Sequence, residues 1–248
     1  MERDSLFVEI VKDGEAVREA QRLRWGVFAL EMGARLDTPE PGLDADRYDE
    51  HAAHVIVREG RGGRAVACLR VITQEGAMAA GGFYSQSEFE MSRLLAQPGR
   101  VLEVGRTCVS ADRRDGATLS ALWSGLAQHA RATGAQRLLG CASVAFDPET
   151  QALAPLTAHL SHRLVAEELR VRPLRPAPRD PDMPSGPAKM PALLAAYLRL
   201  GAQICGEPCW DPAFGTADYL IVVPVESLAK RYARRFLGRE AGEAACAS

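Results

Sequence analysis

The sequence predicts an α/β fold: a central, mixed, twisted sheet with helices on both faces. Three observations predict it. Strand-like alternation and helical periodicity follow one another along the chain, and a tight EGRGG turn joins two of the strands. In LEVGRTCVSADRRDGATLSALW (102–123), an alternating strand passes through a polar turn straight into a helix. The chain is 47% hydrophobic over 248 residues, enough to cover both sides of such a sheet, so disorder of the whole is excluded.

A strand is expected around residues 6–11. A helix follows over 15–32, with Ala20, Leu23, Val27 and Leu30 along its apolar stripe. After an acidic loop, 52–58 and 64–72 pair through EGRGG as an antiparallel hairpin. The Gly-rich EGAMAAGGF reads as a loop leading to the strand at 101–106. Beyond Gly116, Leu119, Leu122, Trp123 and Leu126 recur at helical spacing. Residues 136–144 form a strand and 151–169 a helix. From Arg172 to Pro191 seven prolines break all regularity, which predicts a loop or lid over about 172–190. Pro191 suits the first turn of a helix to about Leu200, 216–225 is an apolar strand, and 226–237 a last helix. The sum is about seven strands in one domain spanning 1–238, with no repeat or linker. A disordered tail is expected at 239–248.

The formal charge of −2 gives no reason to expect a nucleic-acid binder. Its distribution says more: residues 37–50 hold six acids against Arg47, whereas 230–239 hold five bases and no acid, which suggests separate polar surfaces for separate partners. No basic stretch precedes an apolar run at the start, and no 18 apolar residues follow one another, so a cytoplasmic protein is expected. The six cysteines show no C-x-x-C spacing and read as reduced thiols. Cys205 and Cys209 lack a second ligand pair, and His159 with His162 lacks a third ligand, so no metal is expected. Cys108 and Cys141 read as buried strand residues rather than nucleophiles.

The turn at Arg113, Arg114, Asp115, Gly116 and Ala117 is an anion site in outline, because a helix opening there offers free N–H groups beside two guanidiniums. It resembles the Arg/Gln-x-x-Gly-x-Gly/Ala loop of Gcn5-related N-acyltransferases, with Thr118 at the second small position. The order of RLRWGVF (22–28), DADRYD (44–49), Arg70, Phe83 and the Glu-x-x-Arg of EVGRTCV resembles acyl-homoserine-lactone synthases. The closer resemblance, from about Arg22 to Phe236, is to bacterial ornithine N-acyltransferases of ornithine-lipid biosynthesis, carried by EVGRTCVSADRRDGATLSALWSG, LLGCASV and PALLAAYLRLGAQICGEPCWDPAFGTADYLIVVPV. MGARLD stands where lactone synthases carry a tryptophan, which counts against a lactone product. The Pro-rich stretch matches no motif.

The resemblance implies transfer of a 3-hydroxy fatty acyl group from the 4′-phosphopantetheine of acyl carrier protein to the α-amine of ornithine, with no permanently bound cofactor. Arg113, Arg114, Gly116 and Ala117 would hold the donor's phosphate. An amine with a pKa of roughly 8–10 must lose a proton before it attacks, and Glu103, on the strand leading into that loop, is the candidate base. Glu103 and Arg106 sit three apart, so they face opposite sides unless a bulge intervenes, and a bulge near Gly105 is expected. It would also free N–H groups for the oxyanion. Arg24, Arg70 or Arg106 can clamp the substrate carboxylate, and Asp46, Asp49 or Glu50 its distal ammonium, with Phe28 and Phe83 beside them. Equally, Arg24 and Arg106 can simply pair with those acids. His54 reads as a core histidine or a proton relay. Arginines 163, 170, 172, 175 and 179, or the last helix, are candidates to dock the acidic carrier protein. Leu228, Tyr232 and Phe236, with arginines beside them, either pack on the sheet or touch the inner membrane.

Overall fold

In the computed structural model, which describes residues 5–147, 153–178 and 190–228, the chain opens with β1 (Leu6–Val11) and α1 (Gly14–Trp25). α1 runs into a π-helical turn over Gly26–Glu31. The hairpin β2 (Ala52–Glu59) and β3 (Ala65–Thr73) follows, then the short α2 (Gln74–Ala79), a 3₁₀ turn at Tyr84–Ser87, β4 (Phe89–Glu90) and α3 (Ser92–Leu95). Next come β5 (Val101–Val109), α4 (Gly116–Ala132), β6 (Arg137–Ala145) and α5 (Ala154–Leu160). The described chain continues with β7 (Arg172–Pro173), α6 (Ala192–Arg199), β8 (Gln203–Ile204), β9 (Cys209–Asp211) and β10 (Thr216–Pro224).

Strand order in the main sheet is β1-β2-β3-β5-β6-β10-β8, with β9 also paired to β10. Every ladder is antiparallel except β5–β6, whose parallel pairing needs the crossover that α4 supplies. β2, β3 and β10 are buried along nearly their whole length, as strands covered on both faces must be. One face packs Leu102, Leu138 and Tyr219 against Leu122, Trp123 and Leu126 of α4 and Tyr197 of α6. The other carries two apolar groups. Ile56, Cys68 and Cys108 meet Ala20 and Phe28, while Ile72, Leu139 and Leu220 meet Phe83 and Phe89. Between those two groups lies a belt of buried charge. No helix among the described residues is long and apolar enough to cross a membrane.

Four expectations need correction. The helix over 15–32 changes to π geometry at Gly26, which shifts its phase: Phe28 turns inward and Leu30 stands 75% exposed. The Gly-rich loop begins as α2, because the Thr73 hydroxyl accepts the Gly76 N–H at 3.1 Å and caps the turn. The helix expected to reach Leu169 stops earlier, since Leu164 turns extended to bridge Ile204 and the Val165 N–H bonds the Ile204 carbonyl at 3.0 Å. The main sheet has eight strands, β8 and β9 coming from the segment around CGEPC. In the Pro-rich loop Arg172–Pro173 pairs with β4, and 179–189 lie outside the described residues. So do the tail at 239–248 and the last helix after Leu228, which is itself fully buried in the core.

β5 and β6 are paired only from Val101↔Arg137 to Glu103↔Leu139. Gly140 stands at the parting point, and a Cβ there would run into the Val104 carbonyl oxygen. Gly140→Ala should therefore lower stability by about 1–3 kcal/mol, as overpacking does. The urea midpoint measures this. An unchanged midpoint would mean that the strands separate further at no cost.

Candidate active site

The expected bulge is present. Between the pairs Cys68↔Cys108 and Arg70↔Gly105, β5 uses one residue more than β3, and Arg106 adopts φ 52°, the only positive φ of a non-glycine among the described residues. The bulge and the end of the β5–β6 ladder open a cavity of about 540 Å³. Its walls mix the apolar side chains of Val27, Phe28, Ile72, Val104, Leu119 and Leu193 with Glu103, Arg70, Arg106, Asp211 and Asp218.

Glu103 is 4% exposed and lines this cavity. Its Oε1 accepts from the Ser85 N–H (2.8 Å) and hydroxyl (2.5 Å), and its Oε2 from the Tyr84 N–H (2.7 Å). These bonds fix the carboxylate at the start of the 3₁₀ turn. Burial pushes its pKa above the ordinary value, while Ser85 and Tyr84 act the other way. A carboxyl so placed is oriented and poised to take a proton.

The acidic loop folds inward on three arginines. Arg24, fully buried, donates to Asp44 (2.9 Å) and Asp49 (2.7 Å). Arg70 reaches Asp46 (2.5 Å) and Asp49 (2.9 Å), and Arg106 reaches Asp44 (3.0 Å) and Asp46 (3.3 Å). Each arginine thus bridges two of the three aspartates, and the six charges cancel. Burial opposes these charges, yet Arg24 and Arg70 hold Asp49 far below the carboxylate range, and Asp44 raises Arg106. The Arg106 guanidinium also lies 5.0 Å from the ring centres of both Tyr84 and Phe214. Arg70, Arg106 and Phe28 line the cavity; Arg24, Asp46, Asp49 and Phe83 stand behind its wall, and Glu50 is exposed. His54, 1% exposed, lies 3.9 Å from Asp49, and burial with the neighbouring Arg24 charge lowers its pKa to about 4.

At the strand-to-helix turn, Gly116 and Arg114 line the cavity, and a Cβ at Gly116 would meet nothing within 4 Å. Ala117 is exposed. Asp115 caps α4 by accepting the Thr118 N–H at 2.7 Å, so that donor is already occupied. Arg113 pairs with Glu59 at 2.5 Å and Arg114 with Glu31 at 2.6 Å. The thiols of Cys108 and Cys141 are pushed well up, the first by its bond to Cys68 and by burial, the second mainly by burial. Neither is a ready nucleophile. His159 and His162 are exposed.

Sequence reasoning missed Tyr84, Ser85, Glu88, Asp211, Phe214 and Asp218. An acid inside TADYLIVVPV was the available signal for Asp218, since a carboxylate in a wholly buried strand needs a reason. Asp44, at the edge of DADRYD, proves as central to the arginine network as Asp46 and Asp49.

Residues 23–124 match the family model described as acetyltransferase (GNAT) domain. The chain is 35% identical over 246 residues to the L-ornithine N(alpha)-acyltransferase of Brucella abortus (strain 2308), covering 92% of this chain and 87% of that one. It is 31% identical to the enzyme of that name from Rhodobacter capsulatus, covering 95% and 97%. Among solved structures, the CoA-dependent acyl-homoserine lactone synthase BjaI has a TM-score of 0.54 at 15% identity over 92% of this chain and 90% of its own. FeeM, an N-acyl amino acid synthase from uncultured soil microbes, has 0.53 at 10% identity over 91% and 94%. These likenesses show the fold.

The buried His54 yields a pH dependence. Its folded pKa, about 4, lies below the ordinary 6.5, so between those values the unfolded chain takes up a proton that the folded chain refuses. Stability present above pH 6.5 is therefore lost as pH falls through 4, by about 3 kcal/mol. His54→Gln should flatten the unfolding free energy across this window. An equally steep loss in the variant would place the titrating group elsewhere.

Proposed function

Because the chain belongs to the L-ornithine N(alpha)-acyltransferase family, we propose that it transfers a 3-hydroxy fatty acyl group from the 4′-phosphopantetheine of acyl carrier protein to the α-amine of ornithine, giving lyso-ornithine lipid. The observation that carries the reading is the cleft between β5 and β6, with the α4 N-terminus at one part of its wall and the pinned Glu103 where the strands part. The phosphate of the arm rests against the backbone at Gly116, where a Cβ would meet open space, beside the Asp115 carboxylate that caps the helix, and the helix dipole favours an anion. Arg113 and Arg114 flank it. The arm then runs along β5 toward Glu103, as a pantetheine extends a sheet whose neighbouring strand has turned away.

In this reading Glu103 accepts a proton from the α-ammonium, and the freed nitrogen attacks the thioester carbonyl. The C–N bond forms, N–H groups on the unladdered edge of β5 receive the oxyanion, and the C–S bond then breaks. The nitrogen's second proton leaves with the carrier thiolate as thiol. Arg70 and Arg106, held by aspartates yet facing the cavity, hold the substrate carboxylate. Arg24, Asp46 and Asp49 support them from behind. Arg163, Arg170, Arg172 and Arg175 are exposed and offer a basic surface to the acidic carrier. An acylated product partitions into lipid, which favours work at the cytoplasmic face of the inner membrane.

Glu103→Gln should lower kcat by about two to four orders of magnitude with carrier binding little changed. Single-turnover acylation of ornithine measures it, and a near-normal rate at pH 7 would remove Glu103 from the role of base. Carrier-protein turnover should weaken with salt mainly through KM, because exposed charges are screened over roughly 8–10 Å. Long-chain acyl-coenzyme A should be a poor donor. Equal use of both donors with no salt effect would transfer the assignment to coenzyme A.

A further inference from the structure

Next to Glu103 lies a second group of acids that the acyl transfer itself leaves unused. Asp218 on β10 and Asp211 at the end of β9 line the cavity, and Glu88, just before β4, adjoins Cys141. Glu88 and Asp218 are 1% and 4% exposed. One oxygen of each and the Cys141 Sγ all lie within 4.8 Å of one another. The Cys141 thiol donates to Glu88 Oε2 at 3.0 Å, and Thr216 Oγ1 to Asp218 Oδ1 at 3.1 Å. Asp211 Oδ1 accepts from the N–H groups of Ala213 (2.8 Å) and Phe214 (3.3 Å).

Glu88 Oε1 is buried and has no hydrogen-bond partner among the described residues. An orphaned carboxylate oxygen beside a second buried acid is costly unless a proton or a cation arrives. Burial and the neighbouring Asp218 charge push Glu88 up to about 8, and burial pushes Asp218 up to about 6. Arg106, a cation within electrostatic reach of Asp218, is paired with Asp44 and Asp46.

Strand order sets the two kinds of charge apart. Arg70 on β3 and Arg106 on β5 lie to one side of the gap, Asp218 on β10 to the other, and Glu103 stands where the gap begins. A molecule with a carboxylate, a reacting amine and a second ammonium at the end of a short chain fits that order. We propose that Glu88 and Asp218, with Asp211, form the subsite that receives the side-chain ammonium of the acceptor amino acid and selects for it. Cys141 and Ser85 link this subsite to Glu103: Ser85 Oγ is 3.5 Å from the Cys141 Sγ and bonds Glu103. The assignment rests on the reading of ornithine as acceptor.

The test compares ornithine with norvaline, which has the same carbon chain but no side-chain ammonium, using a 3-hydroxyacyl carrier protein as donor. The parent enzyme should prefer ornithine by at least about a hundredfold in kcat/KM, since a buried polar subsite rejects a ligand that leaves it unpaired. Glu88→Gln and Asp218→Asn should each cut that ratio by about tenfold or more, mainly through the KM for ornithine. An unchanged ratio in both variants would overturn the assignment. So would a parent enzyme that uses norvaline as well as ornithine, and this result would leave the ornithine reading standing. A parent enzyme that acylates another amino acid and not ornithine would end that reading, and the subsite with it. Inactivation by a chelator, reversed by a divalent ion, would overturn the assignment in favour of a metal on Glu88, Cys141 and Asp218. The parent's own ratio keeps the assignment falsifiable even where a substitution unfolds the chain.

Discussion

The parallel ladder between β5 and β6 lasts for three residue pairs and ends at Glu103 and Leu139. Everything in the cavity depends on that ending. Had the ladder continued, the backbone edge beyond Glu103 would be consumed by Gly140 onward, and no space would exist between the strands. Two local features mark its end. Gly140 lets the Val104 carbonyl crowd against β6, and the left-handed Arg106 throws the following residues of β5 out of register with β3. A sheet ordinarily hides its polar backbone; here one stretch is left open to a ligand.

The buried charges around this opening form two systems of opposite completeness. In the first, three arginines and three aspartates satisfy one another, so that Arg70 and Arg106 face the cavity in fixed positions. Buried ion pairs are weak contributors to stability because both partners lose water, and their value lies in orientation. In the second, Glu88 and Asp218 meet around Cys141 with an oxygen of Glu88 left over. The first network fixes Arg70 and Arg106 at the cavity wall, whereas the second leaves a Glu88 oxygen without a partner among the described residues.

What the sequence made legible follows a physical pattern. Periodicity revealed the long strands and α4 because their burial is dictated by local spacing, and the three-residue separation of Glu103 from Arg106 called for a bulge if both were to face one site. The second acid group was not legible in the same way. Glu88, Cys141 and the β9–β10 pair carrying Asp211 and Asp218 come from three separate places in the chain, and only the tertiary fold brings them together. Tertiary pairing also broke the helix expected at 151–169, where Leu164 and Val165 join Ile204. A conventional N-cap turned part of the Gly-rich stretch into α2; the signal for it, Thr73, stands just ahead of glycines that by themselves suggest a loop.

The π turn at Gly26–Glu31 acts as a phase adjuster between two halves of one helix. Upstream, Arg24 faces the aspartates; downstream, Phe28 packs edge-on against Phe214, with ring centres 5.6 Å apart, and Phe214 in turn borders the Arg106 guanidinium. An uninterrupted α-helix would carry the second half round by a different angle and separate the ring from its partner. The extra residue in this turn is therefore a length constraint: shortening the segment by one residue would leave a better helix and a site whose salt-bridged side and aromatic side no longer meet.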